Sequence, residues 1–531
     1  MIDCNCNQKI LEFAKQNTNH KGYLEFYQKK ISYAKFFKLV DYLSFNLLEY
    51  GIKKGDVVTL MLPNCPQFAM LVYALSNIGA VASLISPLLS EHQAEAIMKR
   101  TSSKLLFVSS ITKYPFENVK KIRIDFGYFA GFLAKAVFAS AKPDKSGVCF
   151  ETVFLKKNIG NMPIPNVDPK STAFHLNSGG TTGEPKTVML SQIAVNTVAF
   201  YIVNNLDENG YTLPTNANAI YILPMFYGYG LSVFHTLLTA SFNQYMRAKF
   251  RPRDLIRDME KNNVEVMFGV PIMYKRMLLT NRFNNSVLKH LKVCYSGGEK
   301  LSLSLQDEFN KAFPESIILE GYGMSEAVGP FVSQSKMYNK RGSCGRLFGP
   351  VKIETFDGDK QNPRDTDGEV CVCTASMMNG YYDDVENTKK VIFEHNGEKW
   401  LRTGDFGKVD NDGYVFLSSR IKNIIKRNGI NIFPSQIESC ILELDFIKDV
   451  VVFGYKDAQD VERIATAVVL KDNHPDNVEN TIKSHVKLRL SILSTPEYIL
   501  IKDRFELTQV GKINTKALRD EITNKIEKQI F

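Results

Sequence analysis

The 531-residue chain lacks most features that would assign its class at a glance. None of its nine cysteines forms a CxxC; Cys4/Cys6 and Cys371/Cys373 are each separated by one residue, and no HxxxH accompanies them. That argues against the usual zinc frameworks. The odd count without a staple spacing predicts a reducing, cytoplasmic setting. The N-terminus, Met1-Ile2-Asp3-Cys4-Asn5-Cys6, has neither a charged n-region nor an apolar h-region, which predicts no secretory leader. No block of five like charges occurs, although the net charge is +10. No nucleic-acid partner is demanded, and the mild basicity suits an anionic cofactor. No repeat or low-complexity tract interrupts the chain. A Walker A loop is missing too. The Gly-Lys pairs, Gly407–Lys408 and Gly511–Lys512, are followed by Val409 and Ile513 where that loop needs Ser or Thr.

What is present begins with Ser178-Gly179-Gly180-Thr181-Thr182-Gly183-Glu184-Pro185-Lys186, directly after the strand-like Ala173–Leu176. Glycines let backbone N–H groups approach a ligand with no Cβ in the way. Rows of N–H groups, hydroxyls and an ammonium are what a polyphosphate needs. Taken alone, such a stretch is also an ordinary solvated turn.

Around it, short apolar runs alternate with helical patterns. Strands are expected at Asp56–Leu62, Lys104–Ser109, Ala219–Phe226, Val264–Val270 and Ser316–Glu320; helices at Gln67–Gly79, Asp254–Asn262 and Leu303–Phe313. This rhythm predicts an α/β fold of mostly parallel sheet with covering helices. Ligands then sit at the carboxyl ends of strands, and three glycine clusters fall at such ends: Gly179–Gly180, Gly297–Gly298 and Gly321/Gly323. They are expected to converge on one rim. Past about residue 340 strands shorten and Asp-Gly turns multiply, giving a β-rich subdomain over about 340–419. From Arg420 a compact α+β piece begins, with strands at Lys448–Tyr455, Arg463–Lys471 and Glu497–Asp503 and a helix at Val478–Leu490. The expected domains are 1–419 and a small mobile domain, 420–531.

One segment stands apart. Phe126 to Lys142 is apolar and aromatic but is broken by Lys135, too short to span a bilayer. A buried or pocket-edge helix is favoured over an interfacial one that would make peripheral membrane contact.

Five motifs, in order, resemble those of the acyl-adenylating superfamily of acyl-CoA synthetases, adenylation domains and beetle luciferases. They are the 178–186 loop, Gly321-Tyr322-Gly323-Met324-Ser325-Glu326, Leu401-Arg402-Thr403-Gly404-Asp405, the Arg420–Gly429 stretch with Pro434 and Glu438, and Gly511-Lys512-Ile513. The likeness runs from about residue 30 to the end. It implies ATP, Mg²⁺ and coenzyme A as cofactors, and a small carboxylic acid joined to the α-phosphate of ATP. Catalysis of that kind is largely charge neutralisation and positioning. The resemblance implies that Ser178, Gly180, Thr181, Thr182, Gly183 and Lys186 hold phosphates. Glu326 and Thr181 would hold the metal, a hard cation that takes oxygen ligands. Ser325 would lie by the α-phosphate, with Tyr322, Gly323 and Gly298 against the nucleotide. Asp405 and Arg420 would take the ribose, and Lys512 would bridge carboxylate and phosphate. Lys422 would be the hinge, and Lys426 would face the site when a thiol attacks the adenylate. Singly, each has a plainer reading: Asp405 a turn residue, Glu326 a helix first-turn acid, Tyr322 ordinary core.

The chain departs from the family pattern at Gly179, Thr187, Ser419, Asn423 and Gln436. The first two bear on phosphate-loop closure, the others on the rate of domain swinging. For the acid, Phe226, Tyr227 and Tyr229 resemble one pocket wall, and Gly297, Gly298 and Glu299 another whose glycines leave room for a long or aromatic acyl group. No acidic residue occurs between Tyr211 and Asp254, so an α-ammonium would be buried without a counter-charge. A fatty or aromatic acid is expected. The acceptor is expected to be coenzyme A, with a carrier-protein thiol as the alternative. Monomer and homodimer both stay open.

Overall fold

The computed structural model describes residues 6–18, 21–112, 116, 119–140, 148–157, 163–177, 186–208, 216–337, 339–347, 349–427, 430–457, 461–506 and 513–530. Ser178, Gly180, Thr181, Thr182, Gly183 and Lys512 lie outside them. Two compact units emerge: Met1–Lys352 with Val372–Leu401, and Ile353–Cys371 with Arg402–Phe531.

The first unit holds two large sheets. In one, eight strands run in the order Gly380–Tyr381, Thr187–Ser191, Thr172–Asn177, Val81–Ile85, Val57–Met61, Leu105–Ser109, Lys121–Ile124, Val148–Cys149. The middle of this sheet is parallel. Its strands Val57–Met61, Val81–Ile85 and Leu105–Ser109 are buried at every position. Continuous apolar runs of that kind mark strands covered on both faces. Helix Pro66–Asn77, itself buried throughout, supplies part of the cover. Helix Glu91–Arg100 starts with a capping box, Ser90 and Gln93 each satisfying the other's backbone N–H.

The second sheet has nine strands, in the order Arg346–Leu347, Pro330–Ser333, Ile317–Gly323, Val293–Gly297, Val266–Gly269, Asn218–Tyr221, Asn243–Met246, Tyr23–Phe26, Lys29–Ser32. Parallel registers set Gly269 beside Ser296 and Gly297 beside Gly321. Two of the three glycine clusters therefore share a rim. The third, Gly179–Gly180, lies outside the described residues; the strand that leads toward it, Thr172–Asn177, belongs to the eight-stranded sheet. The βαβ rhythm is the same in either sheet, so pattern alone could not separate them. Strand Asn218–Tyr221 is also shorter than expected. Buried Asn64 holds the chain beyond it instead, donating to Leu223 O (2.9 Å) and accepting from Met225 N–H (3.0 Å).

In the second unit, strands Ile447–Lys456, Glu462–Leu470 and Tyr498–Lys502 form one sheet. Ile437, Ile441, Ile482 and Val486, from helices Pro434–Ile441 and Val478–Arg489, pack on one side of it. Leu518 and Ile522, from helix Thr515–Ile530, join a second cluster with Val451, Phe453 and Tyr455. The unit also takes in Arg402–Arg420, which the sequence reading places with the preceding domain. Arg402 pairs with Glu369 (2.9 Å) and Asp359 (2.5 Å), and Thr403 Oγ1 donates to Val370 O (2.7 Å). These bonds draw Ile353–Cys371 into the same unit.

The 126–142 segment differs from its expectation. Its helix spans Phe132–Ser140 and contains no buried residue.

Candidate active site

Asn177 and Thr187 end their strands as register partners, closing the hairpin whose tip is the 178–186 run. Thr187 Oγ1 donates to Asn177 Oδ1 at 2.8 Å and accepts from Arg100 Nη2 at 2.7 Å. The departure at Thr187 thus has a structural role, since its hydroxyl ties both ends of the loop to the end of helix Glu91–Arg100. Nearby His175 is buried; burial first, then the Arg100 charge, lowers its pKa to about 4. It is neutral at pH 7.

Lys186 follows the loop. Its ammonium lies 4.6 Å above the centre of the Tyr381 ring, within the range of cation–π attraction. The Tyr381 hydroxyl donates to Glu326 Oε1 at 2.9 Å. Burial, then the Glu326 and Asp384 charges, raise the Tyr381 pKa and keep that proton in place. Lys186, Tyr381 and Glu326 form a chain, the cation at the ring face and the carboxylate at the hydroxyl, and the Lys186 charge also acts on Asp384. The Glu326 carbonyl also accepts from Met378 N–H at 2.7 Å.

Glu326 sits in the short 3-10 turn Ser325–Ala327, which Val328 closes in the left-handed region at φ 68°. A β-branched residue is rarely found there, and such strain costs about 1–3 kcal/mol. Ser325 is half-buried. Tyr322 is buried edge-on against Phe331, with centroids 5.1 Å apart. Gly323 answers to its own chain: a Cβ there would meet Gly329 O at 1.9 Å.

On the nine-stranded sheet, a small cavity of about 20 Å³ is lined by Ile202, Tyr229, Phe268, Tyr295 and Gly321 among others. Phe268 and Tyr295 stack at 4.9 Å. Here the room expected above the glycines is already taken: a Cβ on Gly297 would lie 3.1 Å from the Tyr229 ring. Gly298, at φ +82°, faces open space apart from Val270 at 3.7 Å, and Glu299 is exposed. Phe226 is buried against Tyr227 at 4.6 Å, and burial pushes the Tyr227 hydroxyl up to about 12. On the same strand as Gly321, Glu320 is buried and accepts from Leu301 N–H at 3.2 Å, and its carboxyl is pushed up to about 7, mainly by burial.

In the second unit, Asp405 is a strand residue, not a turn residue: it lies within Glu398–Val409, directly opposite Arg420. The two pair at 2.8 Å, and Arg420 also donates to Thr403 O at 3.1 Å. Lys422 lies in the exposed turn Ile421–Asn423. The Lys426 side chain is exposed, while its N–H donates to Glu462 at 2.8 Å.

Sequence reasoning missed Arg100, Asn177, Tyr381 and Asn64. Adjacency to the loop could have flagged Asn177. Nothing in a single sequence marks the others, because partners 55 to 161 positions away give them their roles.

A family model described as AMP-binding enzyme matches residues 11–382, and one described as AMP-binding enzyme C-terminal domain matches residues 436–512. Among curated relatives, a long-chain-fatty-acid–CoA ligase of Bacillus subtilis (strain 168) is 28% identical, the match covering 97% of this chain and 94% of that one. The 4-coumarate–CoA ligase CCL1 of Humulus lupulus is also 28% identical, over 90% of this chain and 86% of its own. The crystal structure of ATP-bound MatB from Rhodopseudomonas palustris shares the fold, with a TM-score of 0.83 and 21% identity over 98% of this chain and 100% of that one.

Proposed function

The chain belongs to the AMP-binding enzyme family, and on that premise we propose that it activates an apolar carboxylic acid with ATP and passes the acyl group to the thiol of coenzyme A. The observation that carries this reading is the Lys186–Tyr381–Glu326 chain beside the loop ends at Asn177 and Thr187. It offers a cation for phosphate oxygens and a carboxylate for a metal, both in contact with one tyrosine.

Mg²⁺ fits the residues present. Glu326 is half-buried, and Tyr381 orients one of its oxygens. Mg²⁺ is commonly held by one or two carboxylates, with water and phosphate supplying its other ligands. When bound it would neutralise the charge that pyrophosphate carries away. Lys186 would hold the departing phosphates, and Lys512, by its place in the closing motif, would bridge carboxylate and α-phosphate. Asp405 and Arg420 would take the ribose after giving up their mutual pair.

The cavity wall of Tyr229, Phe268 and Tyr295 favours an apolar acid. With the Tyr229 ring against Gly297, the cavity of about 20 Å³ holds little more than a water molecule, so an acyl group requires that ring to turn, and a longer chain more so.

The test is pyrophosphate release with ATP and Mg²⁺ over a panel of short, long-chain, aromatic and amino acids, each with and without coenzyme A. Turnover that needs both an apolar acid and coenzyme A is expected. Adenylate formation indifferent to coenzyme A would replace it with a carrier protein as acceptor, and silence across the panel would overturn the reading. Within the panel, Tyr229→Ala should shift preference toward longer acids by about tenfold in kcat/KM, within the range that pocket size commonly gives.

A further inference from the structure

Helix Phe132–Ser140 turns its apolar side outward. Phe132 is 86% exposed, Leu133 68% and Val137 66%. The helix is nonetheless firmly seated. Phe138 packs edge-on against Phe126 at 4.8 Å and Tyr27 at 5.5 Å. The Gly131 N–H donates to Tyr27 O at 2.8 Å, and a Cβ on Gly131 would meet that oxygen at 2.5 Å. Tyr27 is in turn packed against the Arg247 guanidinium, 5.2 Å from its ring centre. At about 100° per residue, Phe138 and Ala134 face the body of the unit. Phe132, Leu133, Ala136 and Val137 face away. A helix of a soluble protein ordinarily buries its apolar stripe, and a contiguous exposed one marks a contact surface.

The surroundings are basic and aromatic. Lys29 Nζ lies 5.6 Å from the centres of both the Tyr128 and Phe129 rings and donates to Tyr128 O at 3.1 Å. Partial burial, then the like charges of Lys135 and Lys35, lower the Lys29 pKa, so three lysines share one neighbourhood. The nearby carboxylate of Asp125 is engaged by Gly127 N–H at 2.9 Å. Apolar side chains flanked by lysines and an exposed tyrosine match the profile of a lipid interface, where aromatic rings and cations gather at the headgroups.

We propose that this face docks the protein on an anionic phospholipid surface, with Phe132, Leu133 and Val137 entering the acyl boundary and Lys29, Lys35 and Lys135 meeting the headgroups. The contact is peripheral: among the described residues no helix is long and apolar enough to cross a membrane. Docking does not depend on the ligase reading, because it is measured without turnover.

The experiment is co-sedimentation of the full chain with vesicles of phosphatidylcholine and phosphatidylglycerol in equal parts, and with phosphatidylcholine alone. Binding to the mixed vesicles is expected, weakening at high salt. A triple variant, Phe132→Ser, Leu133→Ser and Val137→Ser, should bind at least about tenfold more weakly, the loss of several buried apolar groups. Lys135→Glu should weaken binding to mixed vesicles while leaving the weak binding to phosphatidylcholine unchanged. These side chains are exposed, so the variants should keep the wild-type Tm and activity on a water-soluble acid. Equal pelleting with and without vesicles would overturn the proposal, as would a triple variant that binds like wild type. So would sedimentation velocity showing that the patch joins two copies of the chain while vesicles stay bare.

Discussion

The two units hold their charged site groups in opposite ways. In the first, Lys186 and Glu326 are linked through Tyr381, which touches the cation with its ring face and the carboxylate with its hydroxyl. In the second, Asp405 and Arg420 meet directly at 2.8 Å. A ring shared by opposite charges orients both, so on the proposed function phosphate and metal would be met with little rearrangement. A direct pair must first come apart. On the proposed function, the first arrangement would be preorganised for charge that develops in a reaction, and the second would be a latch that a ligand opens.

The sharpest way to break this contrast is Lys186→Ala. If the ammonium is a preorganised phosphate ligand, its loss should slow adenylate formation by about 100- to 1000-fold, the scale seen when one such donor is removed. Stability should change by no more than about 1 kcal/mol, as is usual away from buried networks. Single-turnover adenylation and a thermal melt separate the two. A large fall in Tm with a modest rate loss would make Lys186 a structural cation.

A smaller effect is expected from Tyr381→Phe, which keeps the ring under Lys186 and deletes the hydroxyl that orients Glu326. Removing a hydrogen bond that positions a metal ligand costs about 10-fold or more in metal affinity. The Mg²⁺ concentration for half-maximal rate should rise by about that factor, with the rate at saturating Mg²⁺ changed far less. An unchanged Mg²⁺ requirement would separate Glu326 from the metal.

The contrast also explains what could be read from the sequence. The strands Val57–Met61, Val266–Gly269 and Ile317–Gly323 and the helix Pro66–Asn77 were legible because their apolar periodicity is local. So were Lys186, Glu326, Asp405 and Arg420, which sit in compact motifs. Tyr381 was not legible, because its role comes from partners in other elements of the fold. Arg100 was hidden for the same reason: it looks like the last residue of a surface helix until Thr187 is brought to its side. The pocket went wrong where volume decides. Gly297 reads as empty space in a sequence, but the Tyr229 ring fills that space. Helix Phe132–Ser140 carries an apolar stripe, and periodicity alone does not say whether a neighbour covers it.

The least dramatic test is aimed at the latch itself. Arg420 is 48% exposed and Asp405 9%, so solvent screening limits their pair to about 0.5–1 kcal/mol. That energy should surface as non-additivity in ATP affinity. Arg420→Ala loses a contact to the nucleotide but also frees Asp405, and the two effects offset; ATP Kd should change by less than about threefold, the size of a weak exposed pair. In an Asp405→Ala background the arginine has no carboxylate to leave, only its bond to Thr403 O, so removing it costs nearly its full contact with the nucleotide. The double-mutant cycle, measured by calorimetry, should therefore show a coupling of up to about 1 kcal/mol that shrinks as salt is raised. Additive losses at every salt concentration would mean that the pair survives nucleotide binding, and the second unit would then hold its charges as passively as any surface bridge.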